Sequence, residues 1–270
     1  MKFGLFTYGY QYCSLEKAFK DAAEFGYDYI ELWGGRPHAF APDLLNGEQE
    51  TILSLVKKYH MPVRVYTPEH NAYPYNYMIG SKLQWEAAMT YFAQAFKAAT
   101  AIGAEYTLVS VGHGGEIASQ LRWERLVESM RVLSKLAKEN GQKILIETLT
   151  PNESNTCTTL DDLVKLLDTV DNQNLLGMCD VVSPYIQGID PVDYVRRLGP
   201  KMAHLHLVDS DGKTEDHYVP GEGVMPLKKI VGDMIKCGYD GNATIELVAK
   251  YMDNPSYYAK LSLERVKELL

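Results

Sequence analysis

Short apolar segments alternate with longer helical segments along the whole chain, and this alternation restricts the fold more than any other feature. The apolar segments have the length and residue types of buried β-strands, whereas the segments between them carry apolar residues three and four positions apart, as amphipathic helices do. Eight strands are predicted, at 3–8, 27–33, 62–67, 104–111, 143–148, 174–180, 202–209 and 243–248. Eight strand–helix units in one series predict a closed parallel (β/α)₈ barrel, a TIM barrel of the α/β class.

Residues that begin or end helices support this division. Ser14 is suited to begin the first helix, and Gly26 and Gly238 are suited to end the first and the seventh. A doubly wound sheet is the alternative architecture, but no GxGxxG motif follows the first strand and the chain has no P-loop. Since no linker or low-complexity tract interrupts the series, we expect residues 1–270 to form one domain, with an active site at the carboxyl ends of the strands.

Charge and composition limit the classes of partner. The net charge of −8 is unfavourable for binding a phosphate backbone, so no nucleic-acid partner is expected. No stretch approaches ~20 uninterrupted apolar residues and the first residues do not resemble a signal peptide, so no membrane partner is expected. The four cysteines are far apart and form no CxxC pair, which favours a reducing compartment. These features predict a cytoplasmic protein with a small-molecule substrate.

The last four predicted strands each end in, or close to, a residue that can bind a metal ion. These residues are Glu147, Asp180, His206 and Glu246. Alternation along the strands places these side chains on the face opposite Ile144, Leu205 and Ile245, so they are expected to point towards the barrel axis. Three carboxylates so close together would repel one another unless a cation compensated them.

A divalent metal ion is the interpretation that explains all four residues together. Taken singly, each has an ordinary alternative: a loop cap, a hydrogen-bonded core histidine or a salt-bridge partner. Oxygen donors with one imidazole suit Mn²⁺, and Co²⁺, Mg²⁺, Ni²⁺ and Zn²⁺ are also possible. His204 lies one layer deeper on the same strand face, where structural support is an equal alternative to a functional role.

The two glutamates of this group suggest proton transfer next to a carbonyl. A metal ion would stabilise the enediolate formed when the adjacent proton is lost. If one glutamate removed a proton from one face and the other returned one to the opposite face, the reaction would be an epimerisation. A single base acting on one face would instead isomerise an aldose to a ketose.

Several long stretches resemble a known family. They are ELWGGRPHAFAPDL, YTPE followed by YPYN, ETLTPNESN, HLHLVDSDG and HYVPGEGVMPL. Over essentially its full length the chain resembles the xylose-isomerase-like superfamily of sugar isomerases and epimerases, and within it the fructoselysine epimerases. The resemblance implies interconversion of fructoselysine, an Amadori product, and its C3 epimer psicoselysine. It also implies one divalent metal ion held by Glu147, Asp180, His206 and Glu246, with Glu147 and Glu246 as the acid/base pair and Glu153 in contact with substrate hydroxyls.

Two positions depart from the related epimerases of free ketoses. Those enzymes commonly carry a histidine where this chain has Ser183, and an arginine where it has Asp211 and Gly212. The departures are unfavourable for a free ketohexose and favour a substrate with a larger substituent at C1. We hypothesise that His217 makes the contact of the missing arginine.

Four further residues at the ends of the first four strands are candidate substrate contacts: Tyr8, Trp33, Glu69 and His113. Aromatic packing and solvated loop positions are their ordinary alternatives. Another sugar isomerase or epimerase of the superfamily, such as one of the D-psicose or D-tagatose 3-epimerase type, is the alternative function. A nuclease of the endonuclease IV type would need many histidines and a basic groove, which seven histidines and a charge of −8 do not favour. A homo-oligomer is possible.

Overall fold

The computed structural model describes residues 1–70 and 74–270, so Tyr73 of the YPYN stretch lies outside the described residues. Eight parallel strands form a closed barrel in which each strand pairs with the next and the last pairs with the first. The strands are β1 (Lys2–Phe6), β2 (Tyr29–Gly34), β3 (Val63–Pro68), β4 (Tyr106–Ser110), β5 (Lys143–Glu147), β6 (Leu175–Asp180), β7 (Met202–His206) and β8 (Asn242–Ile245). The prediction of a closed (β/α)₈ barrel is confirmed.

Helices cover the outside of the barrel. They are α1 (Leu15–Phe25), α2 (Ala41–Asp43), α3 (Gln49–Tyr59), α4 (Lys82–Ala101), α5 (Ser119–Glu139), α6 (Leu160–Val170), α7 (Val182–Ile186), α8 (Val192–Leu198), α9 (Leu227–Lys236) and α10 (Pro255–Lys267). As predicted, Ser14 begins α1 by accepting a hydrogen bond from the Lys17 N–H, and Gly26 ends it with a left-handed φ of 85°. Within the described residues, no helix combines the length and apolar character needed to cross a membrane.

Five strands, β1, β4, β5, β7 and β8, end earlier than the sequence predicts, and for β1 and β8 this changes the setting of a candidate site residue. β1 ends at Phe6 and the chain then enters a short 3₁₀ helix, Thr7–Tyr10, so Tyr8 lies in this helix and not in the strand. β8 ends at Ile245, the last residue with a pairing partner in β1, so Glu246 stands one position beyond the strand.

Two apolar clusters fill the molecule, and they separate the two faces of each strand. The large cluster lies between the strands and the helices and includes Ile144 and Cys179. The small one lies inside the barrel and includes Tyr29, Leu145 and Met178. Since alternate residues of a strand face opposite sides, Leu145 inside the barrel places the residue two positions on inside as well, as predicted. Gly4 makes room for this interior, because a Cβ there would lie 2.1 Å from the ring of Tyr29.

Candidate active site

A cavity of about 410 Å³ opens at the carboxyl ends of the strands. All four predicted metal ligands line it, together with five of the six predicted substrate contacts. These residues are Glu147, Asp180, His206 and Glu246, and Tyr8, Trp33, Glu69, Glu153 and His217. The residues that alternation along the strands predicted to face inward therefore line one and the same cavity.

One potential ligand atom from each of Glu147, Asp180, His206 and Glu246 lies within 4.8 Å of the other three. The first three residues end β5, β6 and β7, and Glu246 directly follows β8. In a parallel barrel, all four positions are at the same end, so four neighbouring strands deliver their polar termini to one point. A single ion can therefore contact all four residues.

His206 presents one ring nitrogen to the cluster. Its Nδ1 lies 2.6 Å from Glu246 Oε2 and 3.5 Å from Glu147 Oε1. This atom is buried and makes no hydrogen bond of acceptable geometry within residues 1–70 and 74–270. Burial alone would lower the pKa of His206, but the charges of Glu246 and Glu31 outweigh it and raise the pKa well above its ordinary value. The surroundings of Nδ1 thus favour a positive charge at this atom, as a metal ion would supply.

Glu147 is the least compensated carboxylate of the group. It is 8% exposed, and its Oε2 accepts a hydrogen bond of 2.8 Å from the Ser110 hydroxyl at the end of β4. Burial raises the pKa of Glu147 above its ordinary value; the ring of His206 opposes this shift, and the carboxylates of Glu246 and Asp180 add to it. A raised pKa makes this carboxylate a stronger base than an ordinary glutamate, as removal of a proton from carbon requires.

The ring of His217 balances the negative charge of the other two carboxylates, Asp180 and Glu246. Its Nε2 lies 2.9 Å from Asp180 Oδ2, and its Nδ1 lies 3.4 Å from Glu246 Oε2. Burial would lower the pKa of His217, but Asp180 and Glu246 raise it to about 10. Burial likewise opposes ionisation of Asp180, yet the imidazolium of His217 lowers the pKa of this carboxyl. The ring predicted to contact substrate therefore also holds two of the predicted metal ligands.

The donor set fits a divalent metal ion. Three carboxylates and one imidazole surround a common point, and oxygen donors with one nitrogen suit Mn²⁺ and related ions. With His206 as a neutral ligand, the imidazolium of His217 alone does not neutralise three buried carboxylates, so the cluster keeps an excess of negative charge. The buried Nδ1 of His206 supports the same conclusion, because it has no hydrogen-bond partner among the described residues and lies beside the carboxylates of Glu147 and Glu246.

Glu31 lies beneath the cluster and was missed in the sequence. Its side chain in β2 is fully buried, and its carboxylate accepts hydrogen bonds from Thr67, His204 and His206. Burial opposes its ionisation, but the two histidines hold the pKa of Glu31 well below its ordinary value. Alternation was the available signal, since Glu31 shares a strand face with Trp33. His204 serves this buried network from β7.

One side of the cavity mouth is aromatic. The Trp33 indole donates a hydrogen bond of 2.7 Å to Glu69 Oε2, which fixes the ring against the end of β3. Tyr8 meets the ring of Trp33 edge-on, with centroids 5.3 Å apart. Together the two perpendicular rings form an apolar wall beside the exposed carboxylate of Glu69.

The other side of the mouth is acidic. Glu153 follows β5 and Glu215 follows β7, and both line the cavity. Glu215 accepts a hydrogen bond from the Thr150 hydroxyl. Glu153 is exposed at the rim, yet partial desolvation and the charge of Glu215 raise its pKa to about 7. Glu215 was missed in the sequence because it lies in a loop without strand or helix periodicity.

The loop that carries Glu215 and His217 is held by one buried carboxylate. Asp209 is 1% exposed and accepts hydrogen bonds from the backbone N–H groups of Ser210, Gly221 and Met225. These bonds join the start of the loop to its end. Asp209 therefore supports the loop from beneath and is not part of the cavity lining.

Three residues noted in the sequence occupy different settings. His113 does not line the cavity: its side chain is exposed and its Nδ1 accepts a hydrogen bond of 3.0 Å from the Gly115 N–H. Ser183 is buried and does line the cavity. Asp211 accepts bonds from the backbone N–H groups of Lys213 and Thr214, so it shapes the loop away from the cavity.

Comparisons with known proteins agree with this geometry. The family model for the xylose isomerase-like TIM barrel matches residues 19–269. The chain is 44% identical to the fructoselysine 3-epimerase of Shigella flexneri, over 100% of this chain and 98% of that relative. Among solved structures, the IolI protein with a bound zinc atom matches with a TM-score of 0.84 at 16% identity, over 100% of this chain and 98% of the other. The D-psicose 3-epimerase of Clostridium cellulolyticum with D-tagatose matches with a TM-score of 0.81 at 18% identity, over 100% and 99%.

Proposed function

The chain belongs to the xylose isomerase-like TIM barrel family, and from that premise we propose that it interconverts fructoselysine and psicoselysine by epimerisation at C3. It is a carbohydrate epimerase. One observation carries the finer assignment: two glutamates, an aspartate and a histidine meet within 4.8 Å at the barrel mouth of a chain 44% identical to a fructoselysine 3-epimerase.

The residues that would hold the metal ion are Glu147, Asp180, His206 and Glu246. A bound divalent ion, Mn²⁺ in this proposal, would polarise the substrate ketone and stabilise the negative charge that develops on its oxygen. His217 keeps Asp180 and Glu246 in place through its two ring nitrogens. The role of the protein in this step is to orient the metal-binding carboxylates and to supply their negative charge.

The acid/base pair of the proposal is Glu147 and Glu246, which stand on β5 and directly after β8. One carboxylate removes the C3 proton, and the other delivers a proton to the opposite face of the resulting enediolate. Because burial raises the pKa of Glu147, this carboxylate takes up a proton more readily than an ordinary glutamate does. Two acids on separate strands are what an inversion at one carbon requires.

The charge of the mouth supports a cationic substrate. Glu69, Glu153 and Glu215 place three carboxylates around the opening. Fructoselysine carries an amine at C1 and an α-ammonium group further along its lysine part, whereas a free ketohexose carries neither. The aromatic wall of Tyr8 and Trp33 offers an apolar surface for the lysine methylenes.

A proton-exchange experiment tests this function. The purified chain is incubated with fructoselysine and Mn²⁺ in D₂O, and C3 is followed by NMR. We expect psicoselysine to form and deuterium to appear at C3 of both epimers. D-psicose and D-tagatose serve as matched free-ketose substrates, and faster exchange with these than with fructoselysine would favour the alternative of a free-ketose 3-epimerase.

Two variants test the acid/base assignment. Glu147→Gln and Glu246→Gln keep the shape of each side chain but cannot take up the C3 proton. We expect each to lower exchange by at least about 100-fold, the lower range for loss of a general base. Circular dichroism and the unfolding temperature verify that the fold persists. Substantial exchange by either folded variant contradicts the two-base mechanism.

A further inference from the structure

Glu31 of β2 is a buried carboxylate that borders neither the substrate cavity nor solvent, yet it contacts one of the four proposed ligands. We propose that Glu31 is a positioning residue that fixes the ring of His206, so that Nδ1 of that ring faces the three carboxylates. The inference rests on the proposed function only in so far as His206 is to bind a cation. It assigns Glu31 no contact with substrate.

Both oxygens of Glu31 are engaged. Oε1 accepts from the Thr67 hydroxyl at 2.8 Å and from His206 Nε2 at 3.1 Å, and Oε2 accepts from His204 Nε2 at 2.9 Å. The donors come from β3 and β7, so the carboxylate is held on two sides. A group bound at both oxygens cannot rotate without breaking at least one buried hydrogen bond.

In the neutral ring that binding of a cation requires, the contact with Glu31 determines which nitrogen of His206 carries the hydrogen. An ionised carboxylate only accepts hydrogen bonds, so His206 Nε2 must be the donor. A neutral imidazole with hydrogen on Nε2 has its lone pair on Nδ1. That atom lies 2.6 Å from Glu246 Oε2, inside the cluster of carboxylates. The buried carboxylate thus selects the tautomer that can bind a cation on the cavity side.

His204 anchors this arrangement. It occupies the second oxygen of Glu31, and its own Nδ1 is buried with no hydrogen-bond partner in the described part of the chain. The two rings meet edge-on with centroids 5.4 Å apart, which restricts rotation of either ring. With His204 on one oxygen, Glu31 keeps the other directed at His206.

Glu31, His204 and His206 also present atoms within 4.8 Å of one another, so a cation bound directly at Glu31 is the competing interpretation. Hydrogen bonds explain the same distances, and the Thr67 hydroxyl as a third donor favours them. The two interpretations differ in stoichiometry. Positioning predicts one cation per chain, whereas direct binding predicts two.

The test compares the Mn²⁺ affinity of Glu31→Ala with that of the wild-type chain by isothermal titration calorimetry without substrate. Loss of a carboxylate that orients a metal-binding histidine typically weakens affinity by about 10- to 100-fold, and we expect a loss of that size. Asp21→Ala is the matched control, because Asp21 is 6% exposed, belongs to α1 and bonds to Tyr10 outside the barrel. We expect its Mn²⁺ affinity to equal that of the wild type.

A second readout reports the tautomer itself. In the Zn²⁺-loaded wild-type chain, long-range ¹H–¹⁵N spectra should place the ring hydrogen of His206 on Nε2. If Glu31→Ala does not fold, Glu31→Gln with Asp21→Asn as its control decides: the amide has one acceptor oxygen and no charge, so we expect Mn²⁺ affinity to fall at least about threefold.

Three results would overturn the inference: a folded Glu31 variant with wild-type Mn²⁺ affinity, two Mn²⁺ ions per wild-type chain, or the hydrogen of His206 on Nδ1. A wild-type chain that binds one Mn²⁺ but does not epimerise fructoselysine contradicts the proposed function alone. A wild-type chain that binds no divalent cation contradicts both.

Discussion

Replacing Ser110 by alanine tests how the barrel keeps Glu147 ready to bind a cation. The Ser110 hydroxyl donates a hydrogen bond of 2.8 Å to Glu147 Oε2, and both side chains are buried. It is the one side-chain hydrogen bond that Glu147 receives among the described residues. Without it, the ionised carboxylate loses its donor and the cluster becomes harder to assemble around a cation.

The magnitude follows from the charge of the acceptor. A hydrogen bond to an ionised group contributes about 1.5–3 kcal/mol, and each 1.4 kcal/mol corresponds to about a factor of ten in a dissociation constant. We therefore expect Ser110→Ala to weaken Mn²⁺ binding by roughly 10- to 150-fold. Water entering the cavity beside Glu147 would replace part of the lost bond, so the lower half of this range is the expected result.

The measurement is a calorimetric Mn²⁺ titration, with deuterium exchange at C3 measured at saturating Mn²⁺. Ser134→Ala is the control, because Ser134 in α5 is equally buried but its hydroxyl has no partner in the structure as described. If Ser110→Ala binds Mn²⁺ within about twofold of Ser134→Ala, a bond to Glu147 does not support the cation site. Recovery of exchange at saturating Mn²⁺ would locate the defect in binding.

Three other variants address the cavity mouth and its charge. The pKa of Glu153 is raised from 4.5 to about 7, so the folded state holds this proton more tightly than the unfolded state does. The stability of the wild-type chain should therefore fall as the pH rises between these two values. We expect the unfolding temperature of Glu153→Gln to exceed that of the wild type at pH 8 but not at pH 4. Glu215→Gln should raise KM for fructoselysine several-fold while leaving kcat nearly unchanged, and an equal KM would remove Glu215 from recognition of the ammonium group. His217→Ala leaves Asp180 and Glu246 without their imidazole partner. We expect kcat or Mn²⁺ affinity to fall about tenfold or more. Unchanged kinetics and unchanged affinity would show that His217 is not part of the site.

The site residues at the carboxyl ends of the strands could be predicted from the sequence because their orientation depends on local backbone geometry. Alternation along a strand decides which face a side chain occupies, and a parallel barrel brings all carboxyl ends together. These two rules were sufficient to predict where the side chains of Glu147, Asp180 and His206 lie. Even the shortened β8 did not disturb the result, because Glu246 continues the direction of the strand by one residue.

The supporting residues depend on pairings that no local pattern reveals. Glu31 meets His204 and His206 across 173 and 175 residues of sequence, and a single glutamate within YIELW gives no indication of its partners. Loop residues present a different difficulty, since turn geometry rather than periodicity directs them. Thus His113 after β4 faces outward, although its position after a strand suggested the opposite.

The buried charges of this barrel are compensated unequally, and the inequality bears on function. Glu31 receives three donors and Asp180 faces the imidazolium of His217, and the pKa of each carboxyl is lowered despite burial. Glu147 receives one hydroxyl, and burial raises its pKa. A fold selected only for stability would distribute its donors more evenly, because each uncompensated buried charge is costly. Under the proposed function, uptake of a proton or contact with a cation at Glu147 would remove the cost of burying this charge.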